Sequence, residues 1–208
     1  MSLIAKASES GFKPVPEGTH LARCYRIVDL GTQESTYLGQ VKTQRKVMLQ
    51  FECHGQDENG FELVTRDGEP MSISKNYTLS IGEKARLRKD LESWRGRAFT
   101  KEELNGFELK NLLGVWAMIS VIKTPGENGK EYANINAITP VPVVVKKNGL
   151  PSYHNEAKIF SIDDPDMELF GTFSDYLKGK IEGSPEWRVR KKSKPVAIAD
   201  DLDEDIPF

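Results

Sequence analysis

The feature that most constrains this chain is the order in which its apolar spacing changes. Apolar and polar residues alternate through "HLARCYRIVDLG", "VMLQFEC" and "MSISKNYTL", switch to helical spacing in "SIGEKARLRKDLESWRG", and alternate again in "GVWAMISVIKT" and "KEYANINAITPV". Successive side chains of a strand point to opposite faces, whereas a helix returns every third or fourth residue to one face. The pattern therefore predicts three strands, one helix and two strands. In "VMLQFEC", Val47, Leu49 and Phe51 share one face and Met48, Gln50 and Glu52 the other. The helix opens with Ser80 and Glu83 at capping-box spacing, carries Leu87, Leu91 and Trp94 on one stripe and ends at Gly96. Thr100 and Glu103 repeat the capping spacing ahead of a shorter helical piece. Asn128-Gly129 signals a hairpin between the last two strands, Asn59-Gly60 and Asp67-Gly68 signal turns, and "TQESTYLGQVKTQRK" reads as a long loop or irregular hairpin tip.

Three strands, a helix and two strands is the element order of the OB fold, a five-stranded Greek-key barrel. The fold class expected is thus mainly β with helical additions: an OB barrel, a helix between strands 3 and 4, a C-terminal helix and a disordered acidic tail. The chain divides accordingly into an N-terminal extension (1–19), the barrel (20–145), a connector with a helix that packs on it (146–187), a basic linker (188–199) and an acidic tip (200–208). The C-terminal helix takes Asp164 as its cap, Pro165 in its first turn, and Leu169, Phe170, Phe173, Leu177 and Ile181 as its apolar stripe.

The composition of the 208 residues, 38% apolar and 29% charged, suits a globular chain with some disorder. No run approaches the roughly 20 apolar residues of a membrane helix and no signal peptide opens the chain, so a cytoplasmic protein is expected. Cys24 and Cys53 fit no metal spacing and read as reduced core thiols. The net charge of −2 conceals segregation. Residues 1–150 carry 21 Lys and Arg against 18 Asp and Glu, and residues 187–199 carry five basic groups and no acidic ones. A mildly basic body with an acidic end suits binding of a polyanion by the body.

Catalytic constellations are weak. Asp163, Asp164 and Asp166 are close enough for a divalent-metal cluster, as a nuclease would need, but the same residues suit a helix start on dipole grounds. His20, His54 and His154 are scattered, and there is no Walker loop or GxGxxG. A binding protein without metal or cofactor is the better expectation. On an OB barrel, aromatic rings stack on unpaired bases and Lys and Arg follow phosphates. The candidates are Arg23 and Tyr25 on the first strand; Tyr37, Lys42, Arg45 and Lys46 on the first loop; Lys75 and Tyr77 on the third strand; and Lys123, Lys130 and Tyr132 around the last hairpin. Tyr25 and Tyr77 alternate with apolar residues and suit core or stacking equally. Trp94 and Trp116 read as packing residues, and Lys84, Arg88 and Arg95 as a solvated helix face.

The chain stops on "DDLDEDIPF", an apolar knob on a stalk of five carboxylates. Like charges keep such a segment extended, so its apolar end is available to a partner. Asp203, Glu204, Asp205, Ile206, Pro207 and Phe208 resemble the acidic tip of bacterial single-stranded-DNA-binding proteins. Residues 12–140 resemble a phage-encoded family of such proteins with an OB core, through "EGTHLARCYRIVDLGTQ", "KNYTLSIGEKARLRKDLESWRGRAFTKEEL", "LKNLLG" and "YANI". The resemblance implies a core that binds single-stranded DNA without strong sequence preference in phage replication, recombination and repair, within the cytoplasm of an infected bacterial host. It implies that Asp200, Asp201, Asp203, Glu204, Asp205, Ile206, Pro207 and Phe208 recruit host or phage replication, recombination and repair proteins. The helical insert, the acidic C-terminal helix and the short basic linker depart from the bacterial protein, which favours a dimer over its tetramer. A strand-annealing or recombination-mediator protein would use the same fold.

Overall fold

The structure, a computed structural model, describes residues 13–193 apart from 38, 127 and 128. It is mainly β. Strands β1 (Gly18–Tyr37), β2 (Gln40–His54) and β3 (Ser72–Thr78) precede helices α1 (Arg86–Arg95) and α2 (Lys101–Asn105). Strands β4 (Trp116–Pro125) and β5 (Glu131–Thr139) follow. After them come helix α3 (Val143–Lys147), strand β6 (Lys158–Phe160) and helices α4 (Met167–Gly171), α5 (Asp175–Glu182) and α6 (Pro185–Ser193). The sheet runs β3-β2-β1-β4-β5 through antiparallel neighbours, and β6 adds to β1 in parallel. The ends of that path, β3 and β5, lie close to each other, and α1 packs against both.

The long first strand serves two cores because its pairing slips. Ala22 and Cys24 point into the core beneath α1, and so does Ile27, three residues on. A bulge between Cys24 and Arg26 makes that change of parity possible, since an extra residue flips every later side chain to the other face. Leu49 and Phe51 of β2, Ile73 and Tyr77 of β3, Ile119 and Val121 of β4, and Leu87, Leu91 and Trp94 of α1 complete this first core. On the opposite face, Val28, Leu30 and Met48 meet Phe160, Ile162, Leu169, Phe170, Phe173, Ile181 and Trp187 in a second one. Phe170 stacks on Trp187 with ring centroids 4.8 Å apart, a contact worth about 0.5–1.5 kcal/mol beyond its buried area. Gly31 is required where the two layers touch: its φ is +67°, and a Cβ there would lie 2.4 Å from that of Ser184.

Several expectations change. Of the two readings of the polar run 32–46, the hairpin tip holds and the loop does not: the run forms two paired strand arms, with Thr32 opposite Arg45 and Tyr37 opposite Gln40. The helix expected from Ser80 begins at Arg86 behind Ala85, because the Ser80 hydroxyl accepts from the Gly82 N–H instead (3.2 Å). Thr100 and Glu103 do form the capping box of α2. Strands β4 and β5 pair as a hairpin, while Asn128 of its turn signal lies outside the described residues. The single C-terminal helix is three helices: Asp166 rather than Asp164 caps α4, Ser174 caps α5, and Pro185 opens α6. Helix α6 also absorbs residues 188–193, the first half of the expected basic linker, and the connector contains α3 and the additional strand β6. Cys24 and Cys53 are free and buried, as expected of core thiols. Among the described residues no helix is long and apolar enough to cross a membrane.

Candidate nucleic-acid interface

The described candidate side chains divide into those engaged in the protein's own packing and pairing and those left exposed. Arg23, Tyr25, Lys75 and Tyr77 hold the protein together. The buried guanidinium of Arg23 donates to the Asn155 carbonyl (2.9 Å) and lies 3.4 Å from Glu52, with the Tyr153 ring over it at 4.4 Å. Glu52 has no exposed surface and accepts from the backbone N–H and side-chain amide of Asn155, each at 2.8 Å. Burial pushes its carboxyl upward, but the Asn155 donors and His54 outweigh that and leave it below the usual range. Tyr25, the residue at the bulge, is buried with the Arg26 guanidinium 5.3 Å from its ring centroid.

Tyr77 and Lys75 converge on Asp90 of α1. The Tyr77 hydroxyl donates to Asp90 Oδ2 (2.9 Å), Lys75 Nζ reaches the same oxygen (2.7 Å), and Arg86 Nε reaches Oδ1 (2.9 Å). Burial, then the Asp90 charge, raises the Tyr77 pKa, so the ring stays a neutral donor. Arg45 is also engaged, at 2.5 Å from Asp29 and 3.4 Å from Asp163. Lys46 Nζ donates to Gln44 (2.8 Å) and Thr78 (2.7 Å). Arg95, read as solvated, packs over the Phe99 and Phe107 rings and pairs with Glu103. Of the acidic trio, Asp163 pairs with Arg45 and Asp166 caps α4, and no group of three or more potential metal ligands occurs among the described residues.

Four of the remaining candidates, Lys42, Lys123, Lys130 and Tyr132, lie outward. Lys42 is exposed on the β1–β2 arm; the Tyr37 side chain and residues 194–208, including the whole acidic tip, lie outside the described residues. Lys123, 3.6 Å from Glu131, Lys130 and the half-exposed Tyr132 cluster on the β4–β5 hairpin. Beside that hairpin runs a polar strip, the outward residues Ser72, Ser74 and Asn76 of β3, all exposed, with Gln50 of β2 next to them. A cleft of about 390 Å³ between the strip and the hairpin is lined by Ser72, Ser74, Lys130, Tyr132 and Val15. A second, of about 360 Å³, lies between the strip and α5 and is lined by Ser74, Asn76, Gln50, Arg26, Tyr176 and Lys180. Ser74 borders both, so the two clefts meet at β3 and together make the groove considered below.

Sequence reasoning missed the strip and the α5 wall. The signal was present: in "SISKNYT" the positions opposite Ile73 and Tyr77 are Ser72, Ser74 and Asn76, and Tyr176 and Lys180 are one helical turn apart, off the apolar stripe. No protein-family model and no curated protein sequence matches the chain.

Proposed function

We propose that this protein binds single-stranded DNA on the outer face of β3, using a barrel of the OB type. The sheet order, the approach of β3 to β5 and the helix between β3 and β4 support that barrel. The observation that carries the function is the groove: an exposed strip of small polar residues with Tyr132, Lys130 and Lys123 at one end. A tyrosine left half-exposed beside a polar sheet face offers a base its ring, and the lysines offer phosphates their charge. Small side chains along the strip let a flexible polymer lie close to the sheet. The acidic tip, by its sequence, recruits replication, recombination and repair proteins to the bound strand.

The test is a titration of fluorescently labelled oligonucleotides with the full-length protein at several salt concentrations. Single strands are expected to bind with log K falling linearly against log salt, by about 0.7 per phosphate contact, and duplex to bind far more weakly. Tyr132→Ala is expected to weaken single-strand binding by roughly 1–3 kcal/mol. Equal affinity for duplex and single strands, or affinity independent of salt, refutes the proposal.

A further inference from the structure

The geometry points to the cleft beneath α5 as a nucleobase site, in which Tyr176 stacks on one base of the bound strand and Gln50 and Asn76 meet its edge. This rests on the single-strand reading above and extends it to the C-terminal helices, which otherwise have only a packing role. Tyr176 is 73% exposed although α5 buries Ile181 and partly buries Leu177 nearby, so its ring contributes nothing to the second core. Lys180, one turn later, holds its ammonium 4.7 Å from the Tyr176 ring centroid. A cation over an aromatic face is attracted to the ring's negative quadrupole, and it leaves the opposite face for a base.

Across the cleft, Arg26 keeps its guanidinium 5.6 Å from the Phe173 ring centroid, and its buried Nε has no hydrogen-bond partner. As a cleft-lining residue, Arg26 places a guanidinium charge that attracts a base carbonyl or a phosphate oxygen. The volume of about 360 Å³ falls within the range of small-molecule clefts. Asn76 lies four residue steps along the strand from Ser72, about 13 Å, so the strip links Tyr132 and Tyr176 over a few nucleotides. Amide side chains at the inner wall present both donors and acceptors. They make this end of the groove sensitive to base identity, whereas stacking on Tyr132 alone is not.

Full-length Tyr176→Ala and Lys180→Ala are compared with wild type for binding to dT, dC and dA homopolymers, with Tyr132→Ala and Phe61→Ala alongside. Phe61 is exposed on the turn that follows β2 and lines neither cleft, and its variant is expected to bind normally. Tyr176→Ala is expected to lose about tenfold or more in affinity, Lys180→Ala to lose less than Tyr176→Ala because the ring remains, and Asn76→Ala, measured alongside them, to shift the homopolymers unequally. Wild-type protein irradiated with a 5-iododeoxyuridine oligonucleotide is expected to cross-link at Tyr176, a readout that needs no variant. If Tyr132→Ala weakens binding while Tyr176→Ala and Lys180→Ala bind as wild type and no cross-link reaches α5, the base site is refuted and the single-strand reading stands. If wild type binds no single strand, both fall.

Discussion

Replacing Glu52 by Gln tests whether the connector is tied to the sheet by charge or by shape. The substitution keeps volume and one acceptor for Asn155, but presents an amide N–H where Arg23 and His54 approach at 3.4 and 3.3 Å. Arg23 would then be a buried cation without its counter-charge, retaining the Asn155 carbonyl at 2.9 Å and the Tyr153 ring. Breaking a buried pair costs about 3–5 kcal/mol. The long Arg23–Glu52 separation and the surviving carbonyl place this one at the lower end, about 3 kcal/mol. For a chain of this size that corresponds to a fall in Tm of roughly 6–12 °C. Urea unfolding at pH 7 should show the midpoint displaced with m unchanged. The sign with pH is fixed: the folded carboxyl titrates below its unfolded value, so its contribution is complete above about 4.5 and is lost as pH falls through the folded pKa. The gap between wild type and variant should therefore close in acid. A loss under about 1 kcal/mol, or a gap that persists unchanged below about pH 4, would refute electrostatic anchoring.

The remaining predictions address other parts of the molecule. Burial pushes the Cys24 and Cys53 thiols up to about 12, so neither should react with a thiol reagent in the native state at neutral pH and both should react in denaturant. Gly31→Ala combines a left-handed backbone with a clash against Ser184, and should cost about 2–5 kcal/mol in urea unfolding; Gly68→Ala, with φ +83° but open space around it, should cost only the backbone share. Glu103, whose bonds to Arg97, to the Thr100 N–H and to Arg95 hold its carboxyl down to about 2, contributes stability that is complete above about pH 4.5 and lost as pH falls toward 2; Glu103→Gln should remove that acid-dependent step. Phe208→Ala should leave single-strand affinity and its salt dependence unchanged while ending capture of wild-type partners from a host lysate; unchanged capture would reduce the acidic tip to a solubilising tail.

Elements specified by local spacing were legible in the sequence. Val47, Leu49 and Phe51 form the inward face of β2, Leu87, Leu91 and Trp94 bury the face of α1, and Thr100 with Glu103 caps α2. The divisions of the C-terminal helix were legible too, in Ser174 as a cap and Pro185 after Gly183, but one continuous stripe outweighed them. What spacing could not carry was long-range. The bulge at Tyr25 is set by pairing with β2, and it alone decides that the ring leaves the alternation of Leu21 and Ile27. Lys75 read as a phosphate contact and Tyr77 stayed open between core and stacking because nothing local announces that Asp90, on a helix 13 residues past Tyr77, will draw both inward. Among the candidates, those on the β4–β5 hairpin kept an exposed position because a hairpin end has no layer above it.

The outer face of the sheet is used in two ways, and the boundary between them locates the groove. Over β1 and the middle of β2 the outward residues are Val28, Leu30 and Met48, and the C-terminal helices cover them. One strand further, over β3, they are Ser72, Ser74 and Asn76, and the helices stop short, leaving α5 as a wall rather than a roof. Ser and Asn are poor strand formers, and a bare sheet face gains stability from β-branched or aromatic residues. If β3 were only a structural strand, the same helices could have extended the second core across it with three apolar substitutions. A strand that instead keeps three small polar side chains exposed, between tyrosines on two different elements, is the face that the proposed single-strand reading uses. The second core thereby does more than stabilise the chain, because by fixing Phe173 and Ile181 against β1 it holds the exposed face of α5 at a set height above the strip. Stability of the C-terminal helices and affinity for the strand should then be coupled through Phe173, although Phe173 lies on the packed side of the cleft.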